Sequence, residues 1–112
     1  MKKYCILLSL VIITCFTSHA QKANPANAEI VYHVCQRSFF DSNGDLHGDL
    51  KGLQQKLPYL QELGVTSILL FPLYEADCYH NYFANDFDKI DPEFGSMQDY
   101  LSLVKELHRR GM

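Results

Sequence analysis

Tyr79-His80-Asn81-Tyr82-Phe83-Ala84-Asn85-Asp86-Phe87-Asp88-Lys89-Ile90-Asp91-Pro92-Glu93-Phe94-Gly95 is the stretch on which the fold turns. It follows a short apolar run, Thr66 to Phe71, and precedes an amphipathic helical pattern, Ser96 to Arg110. Strand, long loop and helix in that order make one unit of an α/β protein. Strand-to-helix loops in such units run about 2–6 residues. This one extends from Pro72 to Gly95 and is dense in aromatics, carboxylates, amides and a histidine. A loop of that length and composition, at the C-terminal end of a parallel strand, is where α/β folds place ligands.

Moving outward, Ile30-Val31-Tyr32-His33-Val34-Cys35 is rich in β-branched and aromatic residues and reads as a first strand. Asp41 to Gly48 is turn chemistry, with Asn43-Gly44 favouring a positive φ. Asp49 can cap a helix whose stripe is Leu50, Leu53, Leu57, Leu60 and Leu63, and Gly64 suits the residue just past its end. Pro58 falls inside that stripe, where it costs about 3 kcal/mol. Because the stripe continues through it, one kinked helix is expected rather than two. Ser67 to Phe71 is apolar without alternation, as in a strand covered on both faces. Ser96 and Asp99 form a weak capping box for a helix that buries Tyr100, Leu103, Val104 and Leu107. The order β-α-β-α implies right-handed crossovers.

The same residues carry a resemblance. Tyr79 to Phe83, then Asp86, then Ile90 to Gly95 resembles the second-strand loop of the α-amylase family of glycoside hydrolases, family 13. Arg37-Ser38-Phe39-Phe40-Asp41-Ser42-Asn43-Gly44-Asp45-Leu46-His47-Gly48-Asp49-Leu50-Lys51-Gly52-Leu53 resembles the segment after the first strand in its oligosaccharide-cleaving members. Leu103 to Met112 resembles the helix leading to the third strand. Three blocks in the right order are more specific than any one alone. The resemblance implies the N-terminal part of a TIM (β/α)8 barrel, truncated before strand 3. Such a barrel needs about 250 residues. It also implies a retaining hydrolase of α-glucosidic bonds in starch or maltooligosaccharides. Its paired catalytic carboxylates, about 5–5.5 Å apart, come after later strands, so no catalytic residue is expected here.

Sugars present apolar faces and a rim of hydroxyls, which aromatic rings and polar groups respectively engage. Tyr74, Tyr79, Tyr82, Phe83 and Phe87 supply rings. Asp77, His80, Asn81, Asn85 and Asp86 supply polar groups. By resemblance, Tyr82 stacks under the sugar whose bond is cut, and His80 bonds a hydroxyl of that sugar. The plainer readings are a ring packed onto the barrel top and a satisfied loop histidine. Phe87 and Phe94 are expected to pack. Two departures stand out. Phe83 occupies a position where some members carry Asp for the non-reducing end, which argues against exo-type specificity. Asn81 stands where the family more often has Gly. Asp41, Asn43, Asp45 and Asp49 alternate oxygen donors as hard cations prefer. This is no EF-hand, since Leu46 fills the glycine position and Gly52 the twelfth. The resemblance implies a structural calcium loop, with the His47 carbonyl as a further ligand. A polar turn with an Asp49 cap explains the same residues.

Lys2 and Lys3, the apolar run Tyr4 to Phe16 and Ser18-His19-Ala20 form a secretory signal peptide pattern over residues 1–20. The apolar run is short of the ~20 residues of a membrane span. Secretion or periplasmic export follows, with no membrane span after cleavage. Residues 21–29 read as a flexible lead-in, and 30–112 as the partial catalytic barrel domain. Cys35 and Cys78 remain after cleavage, either as a disulfide or as two separate thiols. A net charge of −3 carries no nucleic-acid footprint. The sequence therefore points to the N-terminal portion of an exported α-glucan hydrolase, inactive alone. The alternative is a non-catalytic exported carbohydrate-binding module or degenerate remnant. A nucleotide-binding domain ranks last, because no Gly-rich phosphate loop follows either strand.

Overall fold

A computed structural model describes residues 28–112. The expected signal peptide, most of the lead-in, and Cys5 and Cys15 lie outside the described residues.

Strands β1 (Val31–Val34) and β2 (Ser67–Leu70) pair in parallel, with Val31 opposite Ser67 and Val34 opposite Leu70. Two short helices, α1 (Leu50–Gln55) and α2 (Leu57–Glu62), make the crossover between them. The expected single kinked helix is thus two segments. Lys56 leaves helical geometry at φ −94°, ψ 1°, because Pro58 has no N–H to give the Gln54 carbonyl one turn back and its ring crowds that oxygen. Pro58 then opens the first turn of α2, where its missing N–H is lost without cost. Gly64 closes α2 at φ 81°, as its place in the sequence predicts.

Asp49 caps α1 by accepting the Gly52 N–H at 2.6 Å. Gly52 itself is dictated by packing. The Phe40 carbonyl oxygen lies 1.9 Å from where a Cβ would stand, so no larger residue fits. The final helix, α3 (Met97–Arg109), starts at Ser96 with both bonds of a capping box formed.

The core contains Val34, Leu50, Leu53, Leu57, Leu60, Val65, Phe94 and Leu103. Each such side chain contributes about 1.5–3 kcal/mol by leaving water. Leu63, the last of the predicted stripe, is exposed, because α2 ends beside it. Of the expected α3 face only Leu103 is fully buried, with Tyr100 and Leu107 packed partly against it. The two-sided cover expected for β2 is also incomplete. Leu69 is 53% exposed, since β2 has one neighbour and no layer over its second face among the described residues.

The stretch Pro72 to Gly95 is not an open loop. It holds an antiparallel hairpin, β3 (Tyr74–Ala76) against β4 (Ala84–Ile90), with irregular register on both sides of Glu75. The Asp91 N–H donates to the Leu73 carbonyl at 2.8 Å and closes its neck.

Candidate functional site

The hairpin rises from the C-terminal end of β2 and carries the ring-rich segment at its tip. There His80 and Tyr82 come together, with ring centroids 5.6 Å apart. The His80 Nδ1 accepts the Tyr82 N–H at 3.1 Å and lies 3.6 Å from the Cys78 Sγ. That contact makes Nδ1 an acceptor, so the neutral ring carries its proton on Nε2. Tyr79 and Phe83 flank the same imidazole at 5.0 and 5.5 Å. Tyr82 also meets Phe71, at the end of β2, edge to face at 5.8 Å. It remains 59% exposed, which leaves ring surface free for a ligand.

Two expectations for this loop are overturned. Asn81 is fully buried and offers nothing to a hydroxyl rim. Its backbone adopts φ 56°, which turns its side chain inward between the two outward neighbours. Phe87 is 73% exposed rather than packed, held only edge to face against Tyr74 at 5.0 Å. Phe94 packs as expected. Cys35 and Cys78 are both free thiols, each half-buried.

Asp86 and Asp91 are engaged by groups of the same segment. Asp91 is buried, and its Oδ1 accepts the Glu93 N–H at 3.0 Å. The Asp88 N–H, and then the Lys89 ammonium 3.0 Å away, hold the Asp86 carboxyl below its ordinary range. Asp86 in turn raises Lys89.

Arg37, unremarked in the sequence beyond its place in a block, ties the first loop to the tip. Its Nε donates to the Tyr79 carbonyl at 3.1 Å, its Nη2 pairs with Glu93, and its guanidinium lies 5.5 Å from the centre of the Phe94 ring. Its Nη1 also meets the His47 Nδ1 at 3.4 Å. These partners are distant in sequence, so no local signal could reveal them.

The five predicted cation ligands lie on one loop. The Asp41 carboxylate accepts N–H groups from Asn43, Gly44 and Leu46 at 2.7–2.9 Å. These bonds, that of Gly44 foremost, hold its carboxyl below the usual range. Asn43 Oδ1 accepts the Asp45 N–H, and Asp45 Oδ1 accepts the His47 N–H. Asp49 reaches back to the Ser42 N–H and hydroxyl at 3.0 and 2.8 Å. Among the described residues, no three His, Cys, Asp or Glu side chains converge as a metal cage. A cation here would depend on amide and backbone oxygens beside the carboxylates. The donor chemistry, all oxygen, suits a hard ion.

Residues 33–112 match the family described as Alpha amylase, catalytic domain. The chain belongs to the α-amylase family. It is 44% identical over 85 residues to alpha-amylase SusG of Bacteroides thetaiotaomicron, covering 76% of this chain and 12% of that protein. It is 49% identical over 84 residues to an oligo-1,6-glucosidase of Bacillus cereus, covering 74% and 15% respectively. Among solved structures, Eubacterium rectale Amy13B aligns with a TM-score of 0.72 at 41% identity, over 73% of this chain and 16% of that one. The alpha-amylase of H. orenii aligns at 0.71 and 40% identity, over 73% and 18%. This α-amylase-family chain therefore spans less than a fifth of the length of these relatives. Its βα units are part of a glycoside hydrolase family 13 barrel. No helix of the described residues is long and apolar enough to cross a membrane.

Proposed function

We propose that the chain forms the N-terminal part of the catalytic barrel of a secreted, retaining α-glucan hydrolase, and that its hairpin tip is one wall of the sugar site. The observation that carries this reading is the His80–Tyr82 pair, 5.6 Å apart and partly open to solvent, at the end of a parallel strand. Tyr82 offers a ring to the apolar face of a glucosyl unit, and the His80 Nε2–H donates to a hydroxyl oxygen. The catalytic carboxylates belong to later strands. In keeping with that, Asp86, Asp91 and Glu93 of the hairpin are engaged with Lys89, Asn81 and Arg37. The test is turnover. The purified 112-residue chain is expected to release no reducing ends from maltoheptaose, and measurable hydrolysis overturns the assignment of roles.

The Asp41–Asp49 loop would hold a structural calcium through Asp41, Asn43, Asp45, Asp49 and the His47 carbonyl. Support comes from the oxygen-only donor set and the ionised Asp41. Calcium removal by a chelator is expected to lower the melting temperature of the wild type. Asp45→Ala should abolish that dependence. An unchanged melt after chelation would leave the loop as a self-bonded polar turn.

A further inference from the structure

His80 and Tyr82 flank a residue that does not reach solvent. Asn81 donates its Nδ2 to the Tyr74 carbonyl at 2.7 Å and to Asp91 Oδ2 at 2.6 Å. Its N–H donates to the Cys78 carbonyl at 2.9 Å. Both side-chain partners are acceptors, so only one orientation of the carboxamide fits. The other orientation would set Oδ1 against a carbonyl and a carboxylate. In the observed orientation Oδ1 is buried without a partner, a cost accepted for the two bonds on the other side. Glycine would reach φ 56° more easily, so the backbone alone does not require asparagine here. Asp91 is a rigid anchor. Its N–H is held by Leu73 at the hairpin neck, and its Oδ1 by the Glu93 N–H. A line of hydrogen bonds thus runs from the neck of the hairpin to its tip.

We propose that Asn81 is the positioning residue of the saccharide-contacting pair. Its bonds to Asp91 and Tyr74 lock the left-handed turn that sets His80 beside Tyr82 and commits the His80 Nδ1 to the Tyr82 N–H. The inference rests on the sugar-contacting role of that pair. It adds that their geometry is imposed from within the hairpin, by a latch that touches no ligand.

The test uses the intact enzyme polypeptide of which this chain is proposed to be the N-terminal part, labelled with 15N-histidine. Asn81→Gly keeps the backbone freedom and removes the latch. Asp91→Ala removes its anchor from the other side, and decides the matter if the first variant fails to fold. In the wild type the His80 ring should show one tautomer, protonated on Nε2. Each variant should show mixed tautomers, faster hydrogen exchange at the Tyr82 amide, and at least about tenfold weaker binding of a non-hydrolysable thio-linked maltotetraose. The double variant should lose no more than the worse single one, since both break one coupling. An unchanged His80 signature in either folded variant, or additive losses in the double variant, overturns the latch. A wild type that shows the single tautomer but binds no maltotetraose overturns the saccharide reading instead, so the two failures are distinguishable.

Discussion

Arg37 shows how much a single side chain can organise when its partners come from three places. It holds the Tyr79 carbonyl, the Glu93 carboxylate and the face of the Phe94 ring at once. Only a planar, multi-donor cation serves all three, so lysine is not an equivalent. Hydrogen bonds to a charged group contribute about 1.5–3 kcal/mol. Arg37→Ala is expected to lower the local opening free energy of the Tyr79–Tyr82 segment by about that amount, read by native-state hydrogen exchange. Arg37→Lys should recover less than half. Protection equal to wild type in either variant would mean that the tip is held by the Asn81 latch alone. At this scale the sequence was a partial guide. Asp49 and Ser96 are capping residues by type and act as such, because caps are local. Asn81 is legible as an amide in a polar loop and as a departure from the family's usual Gly, which matches its positive φ but not its burial. Its burial depends on Asp91, ten residues on, and on the strand that brings Tyr74 alongside. Phe87 is expected to pack its loop onto the barrel top, yet no element among the described residues covers it.

At the scale of elements, helix α3 is the one most fully specified by its own residues. Its apolar spacing and its capping box agree, and it forms where they predict. Ser96→Ala is expected to cost about 1 kcal/mol, read as a shift in the urea midpoint. The far end of the helix carries a pH signature. The Arg109 guanidinium, and after it that of Arg110, bring the Glu106 carboxyl down from 4.5 to about 2. A carboxyl whose folded pKa lies below its unfolded one stabilises the fold above the unfolded value. That contribution falls away as the pH drops from about 4.5 toward 2. Glu106→Gln is therefore expected to melt lower than wild type near neutral pH, with the gap closing by about pH 2. A gap that persists at that pH would assign the effect to packing. The hairpin is the opposite case. β3 has three residues, β4 sets its one ring, Phe87, between Asp86 and Asp88, and the register slips on both sides of Glu75. With no alternation to read, the segment resembled a loop. The break between α1 and α2 is hidden in the sequence for a related reason. An unbroken leucine stripe signals a continuous buried face, and two short helices in line provide one as well as a single kinked helix does.

For the molecule as a whole, the arrangement of surfaces argues that the described residues are a piece of a larger core. β1 and β2 form a two-stranded parallel sheet, whereas parallel sheets are stable when buried on both faces. Val31 and Leu69 are each more than half exposed. A groove of about 330 Å³ lined by Leu70, Phe71, Leu73, Phe87, Met97 and Tyr100 opens beside the end of β2. In a barrel, such surfaces are where the next strand and helix pack. The eight-residue buried core must offset a backbone entropy of roughly 1–2 kcal/mol for every ordered residue. Leaving that much apolar area in water removes the margin on which small domains depend. The 112-residue chain by itself is therefore expected to bind the dye ANS strongly and to lose its helical circular dichroism over a broad temperature range. In the intact polypeptide the same segment should melt cooperatively and bind no dye. A sharp transition of the isolated chain, with no dye bound, would instead favour an autonomous carbohydrate-binding module. The hairpin tip would then be that module's own binding surface rather than one wall of a catalytic site.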